Sequence, residues 1–370
     1  MGTHIIASPS SWIEGEAERQ LRATAALPGM KLAVGMPDLH PGKGTPIGAA
    51  FASVGLFYPH LVGSDIGCGM ALWRTDLEAR ALKPDKAVRR LTGLDGPWDG
   101  DATAWLAADG LAPTPHDAAL GTIGGGNHFA ELQAVEQVHD QALFNALGFE
   151  RGRLALLVHS GSRGLGEAIL RAHAATHGAG ALAEGTAAAT AYLARHDHAV
   201  GWARSSRRLI AHRFAQALGT DVARALDACH NAVGPAILDG CRCWLHRKGA
   251  APADVGPVVI PGSRGTLSYL VVPTGPQVIN AASLAHGAGR KWKRSEARER
   301  LEPRFTPEAL RRTPLGGRVV CEDKQLLYEE APQAYKDVDQ VVGDLVDAGL
   351  VAIAATFRPV ISYKTRGGRS

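Results

Sequence analysis

No stretch of about 18 uncharged apolar residues occurs in the 370 residues, and a helix needs roughly 20 to cross a bilayer. That argues against a membrane-spanning helix. The start has no basic stretch followed by an apolar run, so a secretory leader is not expected either. Cysteine is scarce: Cys68, Cys229, Cys241, Cys243 and Cys321 are all there are. An odd count without a leader does not suggest a disulfide framework. Cys241 and Cys243, one residue apart, have the wrong spacing for a zinc knuckle and are expected to be ordinary buried thiols. Aromatic residues make up 6%, and no aromatic-rich platform for single strands is evident. Low-complexity linkers and fixed-period repeats are also missing. Together these absences point to a cytoplasmic protein without a membrane partner.

What is present is ordinary for a folded chain, with 45% hydrophobic and 21% charged residues. The whole length, 1–370, is read as one large catalytic domain. The net charge of +4 is mildly basic and compatible with a phosphate-rich partner. The basic residues are uneven. Arg290, Lys291, Lys293, Arg294, Arg298 and Arg300 fall close together, and Arg204, Arg207, Arg208 and Arg213 form a second group. Each group reads equally well as a solvated helix face or as a phosphate contact.

The pattern is α/β throughout, more closely α+β. Ser11-x-x-Glu14 predicts a capping box before an alanine-rich helix that ends near Pro28. A short strand is expected at 31–34, a Gly/Pro-rich loop at 36–48, and an apolar run to Phe57. Residues 154–158, Leu-Ala-Leu-Leu-Val, suit a buried strand. From about 166 to 229 the chain is alanine-rich with helical spacing, predicting two to four helices. Strands are expected at 258–260 and 269–272, and a helix at 338–350. Residues 351–364 then predict a helix end and a strand broken by Pro359.

Five short strings, four of them glycine clusters, each carry a ligand-type side chain. Glycine permits close backbone approach and positive φ, which suits loops that wrap phosphates or metals. The first, Gly-Ser-Asp-Ile-Gly-Cys-Gly-Met at 63–70, sets Asp65 and Cys68 three apart. A carboxylate and a thiolate at that spacing can meet on one cation, and a thiolate has lone pairs to bridge two. The second, Gly-Thr-Ile-Gly-Gly-Gly-Asn-His-Phe-Ala-Glu at 121–131, presents His128 between Asn127 and Glu131. The third, Val-His-Ser-Gly-Ser-Arg-Gly-Leu-Gly at 158–166, puts His159 at the end of a candidate core strand, a rigid support for a metal ligand. Arg163 in the same loop suits bidentate phosphate binding. Cys229-His230-Asn231 is predicted at a helix end and gains weight only as a member of the set. The fifth, Ala-His-Gly-Ala-Gly-Arg at 285–290, exposes His286 between glycines, where neutral imidazole is a competent nucleophile toward phosphorus. These residues define a polynuclear metal site of Asp, Cys and His beside a basic phosphate-binding loop. The chemistry implied is phosphoryl or nucleotidyl transfer.

In this order and combination the motifs resemble those of the RtcB RNA ligases. The resemblance runs from about residue 36 to residue 364. Two further strings support it: Pro-Gly-Ser-Arg-Gly-Thr-Leu-Ser-Tyr at 261–269 and Glu-Ala-Pro-Gln-Ala-Tyr-Lys-Asp-Val-Asp at 330–339. The resemblance implies a single large domain whose central metal cleft is lined by Gly-rich loops. It implies two manganese(II) ions, one on Asp65, Cys68 and His128, the other on Cys68, His159 and His230. It implies that His286 attacks the α-phosphate of GTP and carries GMP. Guanine and ribose contacts would fall on Asn127, Phe129, Glu131, Asn231, Ser268, Tyr335 and Lys364, and RNA or triphosphate contacts on Arg163, Arg290 and Arg294. The substrate would be RNA with a 3′-phosphate or 2′,3′-cyclic phosphate end, joined to a 5′-hydroxyl end through an RNA(3′)pp(5′)G intermediate. A monomer is implied. Manganese comes from the resemblance alone, since thiolate and imidazole by themselves favour zinc.

Three features depart from the family pattern. The region before Gly121 is short, Arg264 stands where the family has methionine in Pro-Gly-Ser-Met-Gly, and residues follow Lys364. In these the chain is similar to a shorter bacterial branch, often encoded beside a release-factor homologue and linked to RNA repair as well as tRNA processing. Two other readings use the same residues. A binuclear metal phosphoesterase acting on RNA ends would need neither GTP nor His286. A non-catalytic RNA-binding protein would use only the basic tracts.

Overall fold

The computed structural model describes residues 2–367. Residue 1 and the end of the C-terminal extension, 368–370, lie outside the described residues. Two sheets organise the chain. The larger has the spatial order Val258–Pro261, Ser268–Pro273, Val351–Thr365, Phe129–Val138, Arg153–Ser160, Gly69–Glu78, Val222–Cys229, with Arg318–Cys321 also paired to Val351–Thr365. The smaller runs Gly2–Ile5, Met30–His40, Ile47–Ser53, Cys241–Lys248, Asn231–Leu238. The chain passes from one sheet to the other across a single residue, His230, between Val222–Cys229 and Asn231–Leu238. The fold is the expected α+β type.

The middle of the larger sheet is apolar where a helix covers it. Arg153–Ser160 is buried from Leu154 onward. Over it lies the 32-residue helix Ala187–Leu218, which buries Trp202, Leu209, Ile210 and Phe214. The Thr186 side chain accepts from Ala189 N at its start, and Gly219 ends it at φ 69°, a conformation that favours glycine.

Several elements differ from expectation. The first helix is Gly15–Ala25, with Glu14 at its N-cap and no side-chain cap; Ser11 donates instead to Asp344. The 36–48 loop is shorter than expected, because strand Met30–His40 extends into it. The helical region holds two helices, Gly164–His177 and Ala187–Leu218. Its last part is strand Val222–Cys229. Cys229-His230-Asn231 is therefore a strand-to-strand junction, not a helix end. Ala-Arg-Ala-Leu-Asp-Ala has helical propensity, but pairing along Gly69–Thr75 overrides it. Residues 351–365 form one strand of 15 residues with no helical start. A register shift between Pro359 and Ile361 absorbs the proline's missing N–H. Cys243 is buried as expected, whereas Cys241 is exposed.

Candidate metal centre and nucleotide cleft

Strand register explains why residues distant in sequence meet. Gly69 pairs with Ser160 on one side and Cys229 on the other, and Phe129 pairs with His159. Four adjacent strand ends therefore bring Cys68, His128, His159 and His230 to one edge of the sheet. Gly161 keeps the approach open, since a Cβ there would stand 2.2 Å from Asp65 Oδ1.

His128 Nε2 lies 2.8 Å from Asp65 Oδ2. Cys68 Sγ lies 3.4 Å from His128 Nε2 and 3.2 Å from His159 Nε2. The rings of His159 and His230 are 5.2 Å apart. Asp65–Cys68–His128 and Cys68–His159–His230 each place their ligand atoms within 4.8 Å of one another, with Cys68 common to both. These are the two expected triads. The Asn127 carbonyl, 3.2 Å from His159 Nδ1, accepts its proton and leaves Nε2 unprotonated. Burial, then the His230 ring, holds His159 well below the usual histidine value. Burial and His286 do the same to His230. Burial and the Asp65 carboxylate push the Cys68 thiol well up. Burial acts to raise Asp65 as well, but His128 outweighs it and lowers the carboxyl. Neutral imidazoles at His159 and His230, the His128 ring beside the Asp65 carboxylate, and a thiol that ionises readily only when a cation replaces its proton are a donor set that fits two divalent ions.

His286 stands beside this centre, its ring 4.8 Å from that of His230. Its Nδ1 donates to Asp38 Oδ2 at 2.6 Å, and its backbone N reaches the same oxygen at 3.3 Å. Asp38 is fully buried on strand Met30–His40. Gly289, at φ 71°, lets the His286 loop close over it, because a Cβ would lie 2.3 Å from Asp38 O. The sequence reading missed Asp38, though it sits in the Gly/Pro-rich segment singled out there.

His286 and the metal triads line one cleft of about 1230 Å³. Of the expected nucleotide contacts, Asn127, Phe129, Glu131, Asn231, Tyr335 and Lys364 line it, and Ser268 does not. Ser268 is buried behind the wall, where its Oγ accepts from Gln133, which also donates to Glu131. Burial raises Glu131 to about 7. The Asn231 amide is spent within the fold, on Asp65 O and Gly249 N. Lys364 Nζ donates to Gly126 O, His128 O and Glu330. Glu330, another residue the sequence reading passed over, also receives Tyr335 OH and Arg290. Burial opposes its ionisation, yet Lys364, Arg290 and Arg294 bring it to about 2.

The arginines divide. Arg290 is occupied by Glu330, Glu329 O and Trp292 O, whereas Arg294 reaches Glu330 only at 3.7 Å and is 47% exposed. Arg163, at φ 57°, has its Nη1 3.1 Å from His128 Nδ1. Three of the second basic group, Arg207, Arg208 and Arg213, are structural rather than a phosphate face, while Arg204 is exposed. Arg208 pairs with Asp109, and Arg213 binds the carbonyls of Gly93, Gly96 and Gly121. Lys248, held by Thr45, lines the cleft without an acidic partner among the described residues.

Arg207 ties the centre together. Fully buried, it donates to Gly67 O and Ser160 O and pairs with Asp227 at 2.6 Å. It thereby holds both the Cys68 loop and the His159 strand end. Arg207→Met strands a buried carboxylate, and an unfolding free energy lowered by about 3–5 kcal/mol is expected from urea titration. A variant as stable as the wild type would show that this pairing does not hold the region.

The comparisons bear on this geometry. A family model described as tRNA-splicing ligase RtcB matches residues 20–94 and 108–365. The chain is 51% identical to an RNA-splicing ligase RtcB2 of Escherichia coli, over 98% of this chain and 96% of that protein. It is 30% identical to the RNA-splicing ligase RtcB of Mycobacterium tuberculosis, over 92% and 99% respectively. It is also 30% identical to the tRNA-splicing ligase RtcB of Archaeoglobus fulgidus, over 94% and 91%. Fold and site thus define an enzyme of the ligase class. The chain belongs to the RtcB family. Among the described residues no helix is long and apolar enough to cross a membrane.

Proposed function

We propose that this chain joins RNA ends, linking a 3′-phosphate or 2′,3′-cyclic phosphate to a 5′-hydroxyl, with GTP as co-substrate and two manganese ions in the paired triads. The observation that carries the reading is the His286–Asp38 pair beside those triads. The carboxylate accepts a hydrogen bond from Nδ1–H at 2.6 Å, which keeps the proton there and leaves a lone pair on Nε2 at the cleft. Such a nitrogen attacks the α-phosphorus of GTP, forming a P–N bond as the P–O bond to pyrophosphate breaks. The ions, when bound, supply Lewis acidity toward phosphate oxygens.

The chain's own residues supply the rest. Glu131, raised to about 7 by burial, accepts from the donor edge of guanine in its carboxylate form, and Phe129 and Tyr335 offer apolar faces to the nucleoside. Asn127 faces the same space. Asn231 and Ser268 act on it indirectly, through the loops and the Gln133–Glu131 pair they hold. Lys364 fixes the Gly126–His128 backbone. Arg163, Arg294 and Lys248 balance phosphate charge. A cyclic phosphate end is first opened by water. An oxygen of the RNA 3′-phosphate then attacks the phosphorus on His286, the P–N bond breaks, and the histidine is regained. The 5′-hydroxyl attacks the 3′-phosphorus and GMP leaves. The likeness to the shorter bacterial branch supports a role in RNA repair, for a cytoplasmic monomer linked functionally to a release-factor homologue.

The test uses purified protein, manganese(II) and GTP labelled at the α-phosphate. An acid-labile, base-stable protein label is expected in wild type and not in His286→Ala. Folded, metal-loaded wild type that takes no label would sink the reading in favour of hydrolysis of RNA phosphoesters.

A further inference from the structure

Three Phe, Tyr or Trp side chains line the cleft: Phe129, Trp292 and Tyr335. Two are already engaged. Phe129 faces Lys364 Nζ at 5.8 Å and meets His159 edge-on. Tyr335 donates to Glu330 and carries the Arg290 guanidinium at 5.1 Å. Trp292 has no such commitment to the nucleotide end. It lies six residues beyond His286.

Its frame is rigid. Lys291 N and Trp292 N both donate to Ala334 O, at 2.8 and 3.3 Å. Arg290 Nε donates to Trp292 O at 3.1 Å. The indole packs against the apolar cluster that includes Leu301 and Leu327, yet remains half-buried rather than sealed. The half-exposed Arg300 guanidinium, 5.2 Å from the ring centroid, already uses the indole as a π surface.

The flanking charge is specific. Arg290 and Arg294 turn to Glu330, while Arg298 and Arg300 pair with Glu302 and Glu296. Lys291 and Lys293 are exposed cations of this tract without an acidic partner among the described residues, and the Lys291 ammonium rests 5.9 Å from the Trp292 ring centroid, a contact that an incoming base and its phosphate would replace. A half-open indole that already carries cations on its π surface, flanked by two lysines without acidic partners among the described residues at the rim of the cleft, matches one repeat of single-stranded nucleic acid. The base stacks on the ring and the phosphates on either side meet the lysines.

We propose that Trp292 is the stacking platform for one base of the RNA strand delivered to His286, with Lys291 and Lys293 on its neighbouring phosphates. This rests on the RNA-joining reading above. Every base has a π face, so the contact fixes the strand's position without selecting its sequence.

The test measures anisotropy of fluorescent single-stranded RNAs ending in a 3′-phosphate, each with one abasic ribose at a successive position from that end. Wild type is expected to lose about ten-fold in affinity at one position and little at its neighbours. Trp292→Ala is expected to lose about the same with intact RNA, and nothing more when the base at that position is removed. Trp292→Phe is expected to recover most of the loss. Uniform tolerance of abasic sites by wild type overturns the proposal, and needs no variant to fold. So does a Trp292→Ala protein that still feels the missing base in full. Wild type that binds none of these RNAs instead removes the RNA-joining reading, and the proposal with it.

Discussion

Asp38→Asn is expected to slow nucleotide transfer to His286 by about 10³–10⁴-fold while the protein stays folded. Asp38 is fully buried, and its Oδ2 serves both the ring and the backbone of His286. A carboxylate can only accept, so it fixes the proton on Nδ1 and the lone pair on Nε2. An asparagine amide can donate to Nδ1. The proton then sits on Nε2, and the nucleophile is blocked at the atom that must attack. A second effect has the same sign. The imidazole gains positive charge as the P–N bond forms, and a buried carboxylate stabilises that charge where a neutral amide does not. Single-turnover transfer from labelled GTP at saturating manganese measures it. Asp38→Asn rates close to wild type would show that the pair does not set the tautomer.

Cys68→Ser should empty both triads at once. The thiol is the shared member of the two sets, and Sγ is within 3.4 Å of His128 Nε2 and 3.2 Å of His159 Nε2. A serine hydroxyl is shorter and, when neutral, a poor bridge. Asp65→Ala and His230→Ala each touch one triad only. Metal analysis of manganese-loaded protein after gel filtration is therefore expected to give none for Cys68→Ser and one ion for each single-triad variant. RNA joining should fall below detection in all three. Retention of two ions by Cys68→Ser would exclude the bridging role.

Most of the candidate metal ligands were legible in the sequence because short Gly-rich strings carry them. Such strings keep a ligand, its loop and its close approaches within a few positions. Asp65 with Cys68, His128 in its triple-glycine run and His159 after an apolar strand needed no tertiary information to stand out. The failures have a different cause. Val222–Cys229 looked helical because alanine and leucine carry local propensity, and only pairing with Gly69–Glu78 makes it a strand. Pro359 looked like a break because a proline cannot donate to a ladder; the register shift beside it satisfies that constraint within the strand. Asp38 and Arg207 act through partners 248 and 140 residues away. No spacing in the sequence announces such pairs. The basic tracts misled in the opposite direction, since Arg207, Arg208 and Arg213 bind carboxylates and carbonyls of the fold itself.

The passage of the chain from one sheet to the other at His230 has a consequence for tolerance. Cys68, His128 and His159 belong to the ends of the larger sheet, whereas Asp38 lies on the smaller. His286 follows Ser283–Ala285, which pairs with Ala250–Pro252 just beyond the smaller sheet's Cys241–Lys248. Sliding one sheet past the other shifts His286 relative to the Cys68 thiol, while bending within either sheet leaves each half intact. Misplacement by about 1 Å can cost about 10²-fold in rate. The seam between the sheets is therefore the molecule's alignment datum. Substitutions far from the cleft, wherever the two sheets bear on one another, act on catalysis as a mechanical offset rather than as a loss of chemistry.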